Sequence, residues 1–224
     1  MLKKENIEYL QENLKFWEYL EESEKQAILN NTAEMHYQQG QNIHSADQEC
    51  LGVIMIKTGE VRVYILSEEG KEITLYRLNE GDICVLSASC VLNNITFDVH
   101  IDAEKDTQAL VIDSCMFSKL CESNIYVENF SLRLTAERFS DVMWAMEQIL
   151  FMSFDKRLAV FLLDETAKTG SDSLSLTHEQ IAKYMGSARE VVSRMLKYFV
   201  KEGMVELSRG CIKITDRKKL KELL

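Results

Sequence analysis

Residues 175–214 read SLTHEQIAKYMGSAREVVSRMLKYFVKEGMVELSRGCIKI, and this stretch decides what the chain folds into. Thr177 and Gln180 have the spacing of a capping box, in which each side chain satisfies a backbone N–H that the first helical turn leaves without a partner. Gly186 supplies the tight turn to a second helix, which we expect to run from about residue 188 to 201. The spacing therefore predicts a helix-turn-helix.

A β-hairpin is predicted after the second helix. Gly203 stands where a glycine commonly ends a helix. Met204–Leu207 and Cys211–Ile214 are short apolar runs joined through Ser208-Arg209-Gly210, and they predict two strands that form a wing. The whole stretch is interpreted as a winged helix-turn-helix, a motif that places its second helix in the major groove of DNA.

The two predicted helices offer polar side chains to DNA. Arginine suits the O6 and N7 acceptors of guanine, and glutamate can accept from the N4 group of cytosine. Other polar groups suit phosphates, which hold the protein in register without reading sequence. The alternative is that the charged pair Arg189 and Glu190 only solvates a helix face. The residues expected at the DNA are Thr177, His178, Ser187, Arg189, Glu190, Ser193, Arg194 and Lys197.

The charge of the chain is unevenly distributed. Its net charge is −10, from 26 Lys and Arg against 36 Asp and Glu. Residues 174–224 hold 11 basic and 6 acidic residues, a balance of +5, so the remainder holds 15 and 30, a balance of −15. An acidic body with a basic C-terminal segment is typical of a modular nucleic-acid-binding protein. An accidental asymmetry of a solvated surface would look the same.

The N-terminal half is predicted to be rich in β-strands after an initial helical segment of 31 residues. Val61–Leu66 alternates in the manner of a strand, and Glu68–Lys71 has the composition of a hairpin turn. Thr96–Ile101 and Gln108–Ile112 are predicted as two further strands. Many short strands roughly ten residues apart predict a sandwich, a barrel or a jelly roll.

A long uninterrupted helix is predicted for Ile125–Met152, which would span about 42 Å. Its apolar residues fall in two rows with a spacing of seven, the pattern of a coiled-coil seam. Because so long a helix extends beyond what a small domain can cover, we expect it to pair with its copy in a two-fold dimer. The alternative is an amphipathic helix packed on its own domain. The two rows are Leu132, Phe139 and Met146, and Thr135, Val142 and Ile149.

With these motifs in place, the chain resembles the Crp/Fnr superfamily of transcription regulators over nearly its whole length. GSAREVVSRMLK at 186–197 resembles the recognition helix of that family, whose Arg-Glu pair and later arginine fall on Arg189, Glu190 and Arg194. The glycine-marked hairpins and Glu80–Asp82 resemble its cyclic-nucleotide-binding-like β-roll. The resemblance implies a homodimer that binds near-palindromic operator DNA and contacts RNA polymerase.

The expected fold is α+β, with an N-terminal double-stranded β-helix (jelly roll), a long dimerisation helix and a C-terminal winged helix-turn-helix. We expect an effector-sensing β-roll domain with its N-terminal helices over residues 1–122. The dimerisation helix is expected over 123–152 and the DNA-binding domain over 153–224. The expected function is effector-controlled, sequence-specific regulation of transcription.

The residues that hold a cyclic nucleotide in this family are replaced in this chain. Members that bind one carry a Gly-Glu pair and then an Arg-Ser pair, and these fall on Val85-Leu86 and near Phe97-Asp98. Asp98 would repel a phosphodiester and no bidentate donor is left, so we predict that cyclic AMP does not bind in the usual way. The candidate effector pocket comprises Val85, Leu86, Ser87, Ser89, Cys90, Phe97 and Asp98.

The sequence does not identify another effector. The iron–sulfur branch of the family uses an N-terminal cysteine cluster, and no cysteine precedes Cys50, so no cluster is expected. Cys90 is expected near the start of a short helix, where a thiol can become redox-reactive, although an inert packed thiol is the commoner case. His44 and His100 could ligate haem, but a lone strand histidine is more often a satisfied core or surface residue.

Two other functions remain open. The first is a cupin-like enzyme that binds a metal or another ligand, such as a sugar. Its metal site would need histidines that converge from neighbouring strands, and His36, His44 and His100 show no HxH spacing. No nucleophile–base arrangement is evident, so we predict no enzyme. A winged-helix module that binds protein instead of DNA is the second alternative. No apolar run approaches the roughly 20 residues of a membrane span, and the N-terminus lacks a signal-peptide core, so the cytoplasm is the expected location.

Overall fold

The computed structural model describes residues 2–45, 51–85 and 99–224. Two compact units are present, one made of residues up to 65 together with 75–142, the other of residues 66–74 together with 143–224. The strand predicted over Thr96–Ile101 falls partly outside the described residues, and the short helix predicted around Cys90 falls wholly outside them.

Helices α1 (Lys4–Asn13) and α2 (Glu22–Asn30) open the first unit, with a short 3-10 helix at Trp17–Tyr19 between them. The strands that follow form two four-stranded sheets, in the orders β1-β8-β3-β6 and β2-β7-β4-β5. Strand β8 lies centrally in the first sheet, where it pairs antiparallel with both β1 and β3. The strands are β1 (Thr32–Tyr37), β2 (Asn42–His44), β3 (Val53–Thr58), β4 (Glu60–Leu66), β5 (Glu72–Asn79), β6 (Ile83–Cys84), β7 (His100–Ala103) and β8 (Thr107–Ile112).

Strand β3 supplies two separate cores. Val53 and Met55 belong to a cluster with the N-terminal helices, whereas Ile54 and Ile56 belong to a cluster formed by strands of both sheets. Because successive strand residues point to opposite faces, both faces of β3 are covered. This explains why the strand is a continuous apolar run instead of an alternating one.

Strand β4 alternates as predicted, with an unusual polar outer face. Val61 and Val63 are fully buried in the core between the sheets. Arg62 is only 1% exposed on the other face, where its Nη2 lies 3.3 Å from Asp102 and its Nε 3.0 Å from Glu104. A buried guanidinium flanked by two carboxylates has its charge compensated within the sheet.

Two helices complete the first unit and extend from it. Helix α3 (Ser114–Ser123) begins at Asp113, whose carboxylate accepts a hydrogen bond from the backbone N–H of Met116 at 2.8 Å. Helix α4 (Ile125–Phe151) then runs for 27 residues, or about 40 Å. Among the described residues, no helix is both long and apolar enough to cross a membrane.

The second unit has the predicted helix-turn-helix and wing, together with elements that the sequence did not reveal. Its three-stranded sheet has the order β10-β11-β9, because β9 pairs with the inner strand of the wing. Helix α5, strand β9 and helix α8 were not predicted. The elements are α5 (Phe154–Thr169), β9 (Ser173–Leu174), α6 (His178–Met185), α7 (Arg189–Lys201), β10 (Val205–Ser208), β11 (Cys211–Ile214) and α8 (Arg217–Glu222).

Candidate nucleic-acid interface

Helix α6 has the capping geometry that the sequence predicts. The Thr177 hydroxyl accepts from the Gln180 backbone N–H at 3.2 Å, and the Gln180 side-chain oxygen accepts from the Thr177 N–H at 2.8 Å. Gly186 ends the helix at φ +58°, in the left-handed region where a Cβ is disfavoured. These two features fix where α6 starts and where the chain turns into α7.

Helix α7 is amphipathic, with a completely buried inner face. Val192, Leu196 and Phe199 are each 0% exposed and pack in the core of the second unit. Burial of three such side chains contributes several kcal/mol, at about 1.5–3 kcal/mol for each. The outer face is therefore held rigidly in its orientation by the packing of the inner one.

The predicted DNA-contacting residues differ in exposure. Arg189, Glu190, Arg194 and Lys197 on α7 are exposed, as is Thr177 at the start of α6. Ser187, Ser193 and His178 are half-buried.

His178 connects the two helices electrostatically. Burial lowers the pKa of its imidazole below the ordinary value, and the positive charges of Arg189 and Lys197 lower that pKa further. Both cations therefore lie close enough to the start of α6 to act on the histidine. The fold thus brings together three of the predicted DNA-contacting residues that are up to 19 positions apart in sequence.

The wing projects Arg209 at its tip. Strands β10 and β11 pair antiparallel from Val205 opposite Ile214 to Ser208 opposite Cys211. Gly210 adopts φ +72° in the connecting turn, and Arg209 beside it is exposed. Sequence reasoning used Arg209 only as part of the turn, but its position makes it a further candidate for a phosphate contact.

Part of the C-terminal basic charge lies away from the start of α7. The Nζ of Lys219 in α8 donates to the carbonyl of Glu202, the residue that ends α7, at 2.9 Å. Since α7 has 13 residues, its two ends are about 20 Å apart. The charge count of the whole segment therefore overstates the charge near the recognition end. The basic residues of α8 are Arg217, Lys218, Lys219 and Lys221.

Helix α4 carries an exposed apolar stripe. Phe139 is 64% exposed. Met143, Met146 and Leu150 follow it at intervals of four, three and four residues and are also exposed. In the second predicted row, Val142 packs against the core between the two sheets, and the Thr135 hydroxyl donates to the Ser131 carbonyl at 2.9 Å. Ile149, the third residue of that row, is 40% exposed, and the row as a dimer contact stays a prediction. The exposed stripe comprises Leu132, Ala136, Phe139, Met143, Met146 and Leu150.

The candidate effector pocket lies almost wholly outside the described residues. Of its predicted members, only Val85 is described, and it is fully buried in the core beside the N-terminal helices. Tyr76 is buried in the core between the sheets, where its hydroxyl lies 3.6 Å from Cys84 Sγ and the Arg138 guanidinium lies 5.2 Å from its ring centre. Burial raises the pKa of Tyr76 well above its usual value.

The histidines discussed above have ordinary surroundings. The ring of His100 stacks on Tyr64 with centroids 5.2 Å apart, and His44 is buried. Within the described ranges, no three His, Cys, Asp or Glu side chains are grouped as a metal site would require.

The fold and the exposed helix define a winged-helix DNA-binding protein with a β-roll. Family models for a Crp-like helix-turn-helix domain and a cyclic nucleotide-binding domain match residues 156–223 and 34–124. A crystal structure from Eubacterium rectale, described as a transcriptional regulator of the Crp/Fnr family, is similar with 47% identity, covering 93% of this chain and 97% of that chain at a TM-score of 0.89. The chain belongs to the Crp/Fnr family of transcription regulators.

Curated relatives of lower sequence identity are also similar to this chain over most of its length. The cyclic AMP receptor protein of Thermus thermophilus is 24% identical, covering 84% of this chain and 86% of its own length. Electron transport regulator A of Shewanella oneidensis is 26% identical, covering 82% and 75%. These relatives and the fold confirm the predicted family, the α+β fold class and the regulatory function.

Proposed function

We propose that this regulator acts as a homodimer that grips a near-palindromic operator with the start of α7 from each protomer. The observation that carries the proposal is the exposed cationic end of α7, built on a fully buried inner face. Arg189 and Arg194 project outward there, and His178 joins them from α6. In a two-fold dimer, a pair of such helices about 34 Å apart enters successive major grooves.

The proposed contacts divide into two kinds. Arg189, Glu190 and Arg194 read base edges, with Ser193 beside them, because they lie on the first two turns of α7. Hydroxyl, imidazole and ammonium groups around them hold phosphates and fix the register. These phosphate-binding groups are Thr177, His178, Ser187 and Lys197.

The exposed stripe of α4 supplies the proposed dimer contact. Its spacing of four and three is that of a coiled-coil seam, and large apolar side chains along it are otherwise left in water. Pairing two such helices would bury the stripe on both copies and set the separation of the two α7 helices. We retain the boundaries 1–122, 123–152 and 153–224 as the proposed functional division.

The proposed control is an effector that acts in the β-roll domain and is not cyclic AMP bound in the usual way. A ligand can shift the balance between DNA-binding and non-binding arrangements only through its different affinity for the two. Once on the operator, the regulator would act by contacting RNA polymerase. Titration calorimetry with cyclic AMP tests the negative prediction, and micromolar binding would contradict it.

The test of DNA recognition starts with sites selected from randomised duplexes. Arg189→Ala and Arg194→Ala should each weaken binding to the selected site by about 1–3 kcal/mol, roughly 6- to 150-fold, in fluorescence anisotropy. Lys218→Ala is the matched control, since it removes an exposed positive charge from α8. If both arginine variants bind as tightly as the unmodified protein, α7 is not the recognition helix.

The salt dependence separates this function from the protein-binding alternative. Phosphate contacts release counterions, so the logarithm of the DNA affinity should fall linearly with the logarithm of salt concentration. A winged-helix module that binds only protein would select no duplex and show no such slope.

A further inference from the structure

A cleft with a volume of about 730 Å³ lies in the first unit, between the N-terminal helices and the first half of α4. Small-molecule sites commonly have volumes of about 300–1,000 Å³. One wall is formed by the residues around the end of α1 and the short 3-10 helix, another by α4, and Gly81, Asp82 and Ile83 complete the lining. No described residue that lines the cleft belongs to the helix-turn-helix.

Aromatic rings line the cleft at two levels. Phe16 is 2% exposed and packs edge-to-face on Phe130, with ring centroids 5.0 Å apart. Tyr19 and Tyr126 stack in parallel at 4.1 Å, yet they are 56% and 49% exposed. Flat ring surfaces that stay in water beside a cleft are suited to stacking on a planar ligand.

Three cations and three carboxylates line the cleft. Glu12 and Lys15 stand on the first wall, and Arg133 and Glu137 on α4. In the part of the chain that the structure describes, none of these four has an ion-pair partner within 4.0 Å. Arg138 and Asp82 in the same cleft differ, since they form an ion pair at 3.7 Å and Asp141 also holds Arg138 at 2.8 Å. The cleft thus has equal numbers of positive and negative groups available to a ligand.

We propose that this cleft binds a small zwitterion that carries a flat ring, of which an aromatic amino acid is the simplest kind. A ligand with a single charge would meet as many like charges as unlike ones. A zwitterion can place its carboxylate toward Arg133 and its ammonium toward Glu137, while its ring lies against the tyrosines. Arg133 and Glu137 lie on a different face of α4 from the apolar stripe, so a ligand and a partner helix can bind together.

Calorimetry on the full chain tests this directly with L-tryptophan as the probe. Tryptamine lacks the carboxylate and indole-3-propionate lacks the ammonium group, so both keep the ring and lose one charge. L-tryptophan should bind at least about tenfold more tightly than either, because one charged hydrogen bond is lost in each analogue. None of these measurements involves DNA, so their outcome is independent of the proposed operator binding.

Two variants locate the site. Arg133→Gln should weaken L-tryptophan about tenfold and leave tryptamine unchanged, and Glu137→Gln should weaken L-tryptophan and leave indole-3-propionate unchanged. Glu128→Gln is the control, an exposed carboxylate on the same helix outside the cleft. All three positions are exposed, and circular dichroism verifies that each variant folds.

The proposal is overturned by any of three results. These are no heat of binding for L-tryptophan up to about 5 mM, equal affinity for all three probes, or equal affinity of the unmodified protein and both cleft variants for L-tryptophan.

Discussion

Replacing Phe139 by serine tests whether the stripe on α4 holds two copies of the chain together. Phe139 is 64% exposed in the single chain. A phenylalanine side chain has about 150–250 Å² to bury, so pairing would remove roughly 100–160 Å² from water at this residue. At about 25 cal/mol per Å², that burial contributes about 2.5–4 kcal/mol for each copy.

Two-fold symmetry doubles the effect, because each dimer contains the substitution twice. The Phe139→Ser dimer should therefore be weaker by about 5–8 kcal/mol, which corresponds to roughly four to six powers of ten in the dissociation constant. Sedimentation equilibrium from nanomolar to micromolar protein measures this change. The variant should be monomeric where the unmodified protein is dimeric.

The control is Met35→Ser, which removes a 39% exposed apolar side chain from β1 instead of α4. This substitution should leave the dissociation constant of the dimer unchanged, because Met35 is not part of the stripe. If Phe139→Ser dimerises as tightly as the unmodified protein while circular dichroism shows an intact fold, the stripe is not the dimer contact.

Three further predictions concern single residues. Burial and the charges of Arg189 and Lys197 lower the pKa of His178 in the free protein, and a phosphate beside it would raise that pKa. The complex then binds more protons than the free protein and free DNA together, so DNA affinity should rise as the pH is lowered from about 8 to about 6. Fluorescence anisotropy at constant ionic strength should show a smaller rise for His178→Gln, and equal slopes for the two proteins would refute the phosphate contact. Arg62→Met should lower the free energy of unfolding of the first unit by about 3–5 kcal/mol in urea titrations, because it leaves two carboxylates uncompensated; a loss below 1 kcal/mol would contradict this. Gly186→Ala should lower the free energy of unfolding of the second unit by about 1–2 kcal/mol in urea titrations, because its backbone is left-handed, and it should weaken DNA binding, because this residue sets the turn into α7. Gly170→Ala, with a similar φ of +64°, is the control that should lower stability by a similar amount and leave DNA binding intact.

The helix-turn-helix was predictable because its signals are local. The capping box at Thr177, the turn at Gly186 and the apolar positions of α7 all act within one or two turns of helix. Each of them reappears in the structure at the predicted residue. The wing was predicted to within one residue, since β10 begins at Val205.

The exposure of the apolar residues on α4 could be predicted only in part. Both Val142 and Met143 suit an apolar stripe, and periodicity alone does not say which of them the roll covers. The answer depends on the core between the sheets, whose residues are distant in sequence. The cleft is harder still to predict, because Lys15 and Arg133 line it together only after the N-terminal segment and α4 have packed. Strand β9 was missed because two residues that pair with the wing carry no periodic signal.

The placement of β3 between two cores limits how the first unit can respond to a bound molecule. If the strand shifted by one residue, each of its side chains would move to the opposite face. Val53 and Met55 would then enter the core that now holds Ile54 and Ile56. Such a slip is blocked from both sides at once. The strand therefore behaves as a rigid partition, and a displacement that begins among the N-terminal helices reaches the interior between the sheets only if the whole strand moves as one body.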